Sequence, residues 1–274
     1  MTSQAVRAPV VAGQFYPGDA PTLNQEVGRY LADADVDPAP DRTTAIVVPH
    51  AGYIYSGPTA ARGYARVRGK RPQRVLLLGC SHRVLVPTAS VYRSGAFACP
   101  TGLFPIDAPF ADRLAERVRS VDARSHVFEH SLEVQLPFLA AVFGSVPIVP
   151  ILFGSPPANW HIDVGRVLAE MAGPDDLVVA STDLSHYARE EEANRLDRQT
   201  IQHVREMNPE RLCASVDAGE SAMCGASAVV AAMGFALAQG ATEAVLLDYR
   251  TSAAASGDYT RVVGYAAVSM ERPA

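Results

Sequence analysis

AIVVPH at residues 45–50, VLLLGCSH at 75–82 and LVVASTDLSH at 177–186 decide how this chain folds. Each is a short β-branched or leucine-rich run closed by Pro, Gly or Ser. That is the pattern of a strand covered on both faces in a parallel sheet. Each run also ends at a histidine: His50, His82 and His186. In open α/β sheets, ligands bind in the crevice outside the carboxyl ends of the strands. Three imidazoles far apart in sequence are therefore expected on one rim of one sheet, as a metal or acid–base site requires.

Around these runs helix and strand patterns alternate, with no repeat and no low-complexity linker. Pro21 opens a helix that carries Leu23, Val27, Tyr30 and Leu31 on one face. After the first strand, HAGYIYSGP suggests a glycine-rich turn, with a helix following from about residue 58. Further strands are expected near 88–92 and 146–153, and GAFACPTGLFPID at 95–107 suggests an irregular hairpin. Phe110, Leu114 and Val118 mark a helix, and Pro137 bends or delays the one at 132–143. Helices are also expected at 159–171, 190–207 and 224–239. Two closing strands, 244–249 and 261–268, would pair antiparallel and make the sheet mixed. The economical architecture is a single domain over residues 1–274, a three-layer α/β/α sandwich around a mixed, mostly parallel sheet.

With 274 residues, 48% hydrophobic and 19% charged, the chain can bury a large core and is globular in composition. A net charge of -5 argues against nucleic acid or an anionic membrane as partner. All basic residues but Lys70 are arginine, and only residues 62–74 are locally basic, as a solvated helix end and loop would be. The apolar stretch at 226–238 is too short to span a bilayer, and no signal-peptide core opens the chain. Cys80, Cys99, Cys213 and Cys224 form no C-x-x-C pair and read as reduced thiols. A cytoplasmic protein is expected.

Several side chains could carry chemistry. His50 lies between Pro49, which holds the backbone before it extended, and the turn at Gly52. If the strand continued, Cys80 would point to the opposite side from His82, so it need not share the site. Asp183, three residues before His186, could orient that imidazole as general bases often require; alternatively Asp183 or Ser185 caps the next helix. Cys224 lies at the mouth of the long apolar helix, where the helix dipole favours a thiolate; it could equally be a small buried hydrophobe. His130, with Glu129 and Glu133, lines a pocket or belongs to an exposed acidic helix start. No P-loop, dinucleotide turn, zinc-protease helix or nucleophile elbow is present.

Six segments carry a resemblance. AGQFYP (12–17), PHAGYIYSG (49–57), GCSH (79–82), EHSLEVQLPF (129–138), DLSHY (183–187) and Cys224-Gly225 stand in the order of the Memo family. Its prokaryotic members are known as AmmeMemoRadiSam system protein B. The family is similar in fold to the class III extradiol dioxygenases. The resemblance covers about residues 10–268, and six motifs in order make it specific. It implies metal ligation by His50, His82 and Cys224, an acid–base role for His186 beside Asp183, and a pocket wall at Phe15 and Tyr55.

Two departures stand out. The dioxygenases complete their iron site with a carboxylate, whereas here the third position is a sulfur, which also suits copper or zinc. Cys80 replaces a more usual proline, and this second thiol bears on oxidation sensitivity. The expectation is one transition metal ion, iron or copper first and zinc also compatible, in a redox enzyme of the oxygenase type. A small molecule or peptide would enter the pocket. A metallochaperone or peptide-binding module is the alternative from another class, and a zinc hydrolase a third. The family name implies association with a radical-SAM protein and a small partner protein.

Overall fold

The computed structural model describes residues 5–273. At its centre β2 (Thr43–Val48), β8 (Leu177–Ser181), β3 (Val75–Cys80) and β7 (Ile148–Phe153) lie side by side, all parallel. Every residue of these four strands is buried, which explains why they read as continuous apolar runs rather than alternating ones. β4 (Ala89–Val91) adds antiparallel to β7. On the opposite edge β11 (Val262–Glu271) pairs antiparallel with β2, and β10 (Glu243–Thr251) with β11. The short β9 (His186–Ala188) pairs with the start of β11. A separate small sheet joins β1 (Val6–Arg7), β5 (Ala96–Cys99) and β6 (Gly102–Pro105).

Helices flank the main sheet in two groups. α1 (Ala20–Ala32), α2 (Tyr53–Arg66) and α4 (Leu136–Phe143) contact one another, with α2 against β2, β10 and β11. α5 (Asn159–Met171), α7 (Pro209–Asp217) and α8 (Ala226–Ala238) form the other group, with α8 against β2, β3, β7 and β8. α3 (Ala108–Arg117) packs on β4 and β7, α6 (Glu190–Arg205) on β10 and β11, and the single turn α9 (Ala253–Ser256) joins the last two strands. This is the expected α/β/α sandwich around a mixed sheet. α8 is apolar on nearly all sides because it is enclosed by sheet and helices.

One element differs from its sequence reading in a way that shapes the site. α2 begins at Tyr53 rather than near residue 58, and Pro58 lies inside it. The proline forfeits one helical hydrogen bond, but tertiary contacts outweigh that loss. Tyr53 is buried, its hydroxyl donating to the Val134 carbonyl at 2.7 Å, and Ser56 Oγ donates to the Ala51 carbonyl at 2.8 Å. The glycine-rich stretch after His50 is therefore mostly first helical turn. Among the described residues no helix is long and apolar enough to cross a membrane.

Candidate metal centre

Because β2, β3 and β8 are parallel, their carboxyl ends emerge at one edge of the sheet. His50 follows β2, His82 follows β3, and Cys224 precedes α8, whose start is tied to the end of β8. That tie is made by the Gly225 amide donating to Thr182 Oγ1 at 2.9 Å and the Cys224 amide to the Asp183 carbonyl at 3.2 Å. One donor atom from each of His50, Cys80, His82 and Cys224 lies within 4.8 Å of all the others. Gly79 makes room for the segment that completes the site. A Cβ there would stand 2.6 Å from Leu132 Cδ2 and 2.8 Å from Ser131 Oγ, so only glycine lets residues 129–132 lie across β3.

Hydrogen bonds decide which nitrogen each ring presents. Ser181 Oγ spends its one proton on the Ser131 carbonyl at 2.6 Å and accepts from Gln135 Nε2 at 2.8 Å. Its contact with His50 Nδ1 at 3.0 Å must therefore be an acceptor's, so Nδ1 carries a proton. His50 Nε2 then faces Cys224 Sγ at 3.3 Å. His82 Nδ1 donates to Glu129 Oε1 at 2.9 Å, leaving its Nε2 3.5 Å from Cys80 Sγ. Both imidazoles thus turn an Nε2 inward while the far nitrogen is held, the outer-shell arrangement of metal-ligating histidines. The residues fit a metal.

Electrostatics point the same way. The neighbouring Cys80 thiol holds Cys224 well below the usual thiol range in spite of burial, with His50 and His82 adding to the effect. The Asp183 amide donates to its sulfur at 3.3 Å. Cys80 is correspondingly pushed up. Burial pulls His50 and His82 down, but Cys224 with Asp183 lifts His50 to about 9, and Cys224 with Glu129 lifts His82 to about 10. Without metal, the cluster is thus a thiolate caged by protonated imidazoles. A cation can take the place of those protons.

The site opens into a cleft of about 760 Å³ lined by His50, His82, His130, Asp183 and His186, with Phe15, Tyr53, Tyr55 and Tyr187 on its walls. His130 is packed among the rings, 4.7 Å from His82 and 4.9 Å from Phe15 between centroids. Burial, then the charge of His50, lowers it to about 4. His186 is exposed at the rim, held on β9 opposite Val263. Tyr187 beside it adopts φ 62°, a left-handed conformation costly for a bulky residue and frequent near functional sites.

Three expectations need correcting. Cys80 does not point away from His82: its sulfur lies 3.5 Å from His82 Nε2 and joins the cluster. Asp183 makes no hydrogen bond to His186 among the described residues, nor does it cap a helix. Its Oδ1 accepts the His50 backbone amide at 2.8 Å, and its Oδ2 lies 4.0 Å from His50 Nε2, so it positions His50. Glu133 does not line the pocket with His130. It is buried in a knot with Arg7 Nη1 at 2.8 Å, the Val10 and Val11 amides and the Tyr16 hydroxyl, which fastens the Phe15 segment beside the site. Glu129 and Ser181, which orient the two rings, were not singled out for those roles. The signal was present in EHSLEVQ and VVAST, since a carboxylate or hydroxyl near a ligand histidine commonly orients it.

The sequence of the chain matches the family described as Memo-like protein over residues 7–269. MEMO1 family proteins of Aquifex aeolicus and Methanopyrus kandleri are 37% and 35% identical to it, over 263 and 280 residues. These alignments cover 95% and 97% of this chain, and 97% and 99% of those proteins. A MEMO1 family protein of Pyrococcus furiosus is 35% identical over 291 residues, covering 97% of this chain and 99% of that protein. Among solved structures, an uncharacterized protein of Escherichia coli K12 is similar in fold, with a TM-score of 0.54 at 16% identity. It covers 83% of this chain and 99% of its own.

Proposed function

This chain belongs to the Memo family, and we propose that it is a metal-dependent redox protein of the oxygenase type. His50, His82 and Cys224 would hold one transition metal ion, iron or copper. The observation that carries this reading is the convergence of two inward-facing Nε2 atoms and a stabilised thiolate beside an open cleft. When bound, the ion would supply electron transfer and a Lewis-acid position. The protein's own residues do the rest. Ser181 and Glu129 keep the two rings aimed inward, and Asp183 holds the His50 backbone. Phe15, Tyr55 and Tyr187 offer flat faces to a small aromatic or apolar guest. His186, exposed on the rim, is placed to exchange a proton between guest and solvent.

The test begins with anaerobic purification and metal analysis, followed by oxygen uptake with a panel of small phenols and reductants. Catalytic uptake that depends on the bound metal and falls in His186→Ala supports the reading. Stoichiometric metal without turnover across the panel, together with rapid metal transfer to an acceptor protein, would replace it with a metal carrier.

A further inference from the structure

We propose that Cys80 is a fourth ligand, making the resting site a closed tetrahedron of two nitrogens and two sulfurs that prefers Cu(I) or Zn(II) to Fe(II). This rests on the metal-site reading above and goes beyond it in donor number and metal selectivity.

Two edges of the cluster have the lengths of such a polyhedron. A tetrahedral ion with metal–nitrogen bonds of about 2.0–2.1 Å and metal–sulfur bonds of about 2.3 Å separates adjacent N and S by about 3.5 Å. Two of the four nitrogen–sulfur edges are close to this length: 3.3 Å from His50 Nε2 to Cys224 Sγ, and 3.5 Å from His82 Nε2 to Cys80 Sγ. All four donors fall within 4.8 Å of one another.

The surroundings of Cys80 set it apart from the other buried thiols. Cys99 and Cys213 pack inside the main hydrophobic cluster, as small hydrophobes do. Cys80 is 5% exposed yet lies outside that cluster, with its sulfur directed at the polar donors. Its backbone is fixed on both sides: Ser131 Oγ donates to the Cys80 carbonyl at 2.9 Å, and the Ser81 amide to Phe153 at 2.9 Å. A thiol at the rigid end of a central strand is preorganised as a ligand, whereas one on a loop would have to be ordered first.

Metal choice follows from donor type. Two thiolates and two imidazoles are the set for zinc or Cu(I), and two thiolates neutralise a dication in this buried setting. Oxygen-activating Fe(II) sites use a carboxylate and keep positions open. Here a guest could bind the ion only by displacing Cys80 or by expanding the coordination number.

Cobalt substitution counts the sulfurs directly. Wild-type protein loaded with Co(II) under anaerobic conditions is compared with Cys80→Ser, Cys80→Ala and Cys224→Ala, each checked for folding by near-ultraviolet circular dichroism. The wild type should show intense tetrahedral ligand-field bands and thiolate-to-cobalt charge transfer. Both Cys80 variants should lose about half the charge-transfer intensity. Their zinc affinity should fall about 100-fold or more, since loss of an outer-shell partner alone costs 10–100-fold. Anaerobic competition should also show their preference for zinc over Fe(II) reduced. A wild-type spectrum that neither Cys80 variant alters, while Cys224→Ala abolishes the charge transfer, overturns the fourth ligand and leaves the three-ligand site standing. Absence of cobalt binding by the wild type overturns both.

Discussion

The Glu129 carboxylate grips His82 twice, accepting its backbone amide at 2.7 Å and its ring Nδ1 at 2.9 Å. The same carboxylate accepts the His130 and Ser131 amides at 2.9 Å. Burial would raise its pKa, but His82 and these amides hold it near 2. One anion therefore fixes where the ring stands and which nitrogen keeps its proton.

Removing that charge should loosen the metal without unfolding the protein. Glu129→Gln keeps an acceptor of similar shape but can also turn an N–H toward His82. Metal affinity is expected to fall about 10–100-fold, the usual cost of losing an orienting partner. Chelator competition measures it. An unchanged affinity would mean that the His82 ring is held by other contacts or is not a ligand.

Single replacements of His50, His82 and Cys224 by Ala should each abolish stoichiometric metal binding. The three sit on separate segments at the edge of a sheet whose core they do not fill, so thermal melts of the metal-free variants should stay cooperative. Any variant with full metal content and unaltered affinity removes its residue from the site.

Asp183 and His186 should separate cleanly. His186→Ala is expected to keep the metal and lower turnover by about 10²–10⁴-fold, the range for general acid–base catalysis. Asp183→Asn acts on His50 instead, because its carboxylate contacts that residue and not His186. It should weaken metal binding and leave the pH profile assigned to His186 in place. Measuring affinity and pH–rate curves for both variants checks this. If Asp183→Asn left metal affinity intact but shifted the profile, the carboxylate would belong to His186 after all.

Acid should destabilise the metal-free protein before its carboxylates titrate. His126 is 1% exposed, and burial, with Arg7 close by, lowers its pKa from 6.5 to about 4. Glu129, the other charged group facing it, only partly offsets this. Its Nε2 donates to the Ser90 carbonyl at 2.9 Å, whereas Nδ1 has no partner among the described residues. The unfolded chain takes up a proton below 6.5 and the folded chain does not, so this stability is complete above pH 6.5 and is lost as pH falls toward 4. The loss is on the order of 3 kcal/mol for such a shift. His161 adds a loss of the same sign. His50 and His82, raised rather than lowered, have the opposite sign: they gain stability as pH falls toward 6.5 and are flat once pH is well below it, so the decline is read between about pH 5.5 and 4. Urea melts at pH 7, 5.5 and 4.5 should show the decline, and His126→Gln should flatten it. A parallel decline in wild type and variant would assign it elsewhere.

The central strands and the family were legible because full burial leaves an unbroken apolar run and because ligand motifs sit at strand ends. α5 and β8 match their sequence reading to the residue. α7 went unread although Asn208 caps it, its side chain accepting from the Arg211 amide at 2.9 Å, and Pro209 follows at the first turn. The start of α2 could not be read locally, since it depends on where Tyr53 is buried. Among the site residues, histidine and Cys224 stood out by type and position. What Asp183 and Glu133 do depends on partners more than a hundred residues away, His50 and Arg7, and no local pattern encodes those.

β11 lies between β10 and β2, yet it is synthesised after every other strand of the sheet. Until it emerges, β2 has an unpaired edge made of TTAIVV, a fully buried segment of the finished protein. Such an edge is a template for pairing with other chains, and pairing strands this far apart in sequence is slow. The growing polypeptide must therefore be sheltered or stay uncollapsed until β11 has been made. Truncations that remove β11 should consequently yield aggregates, not a smaller folded protein.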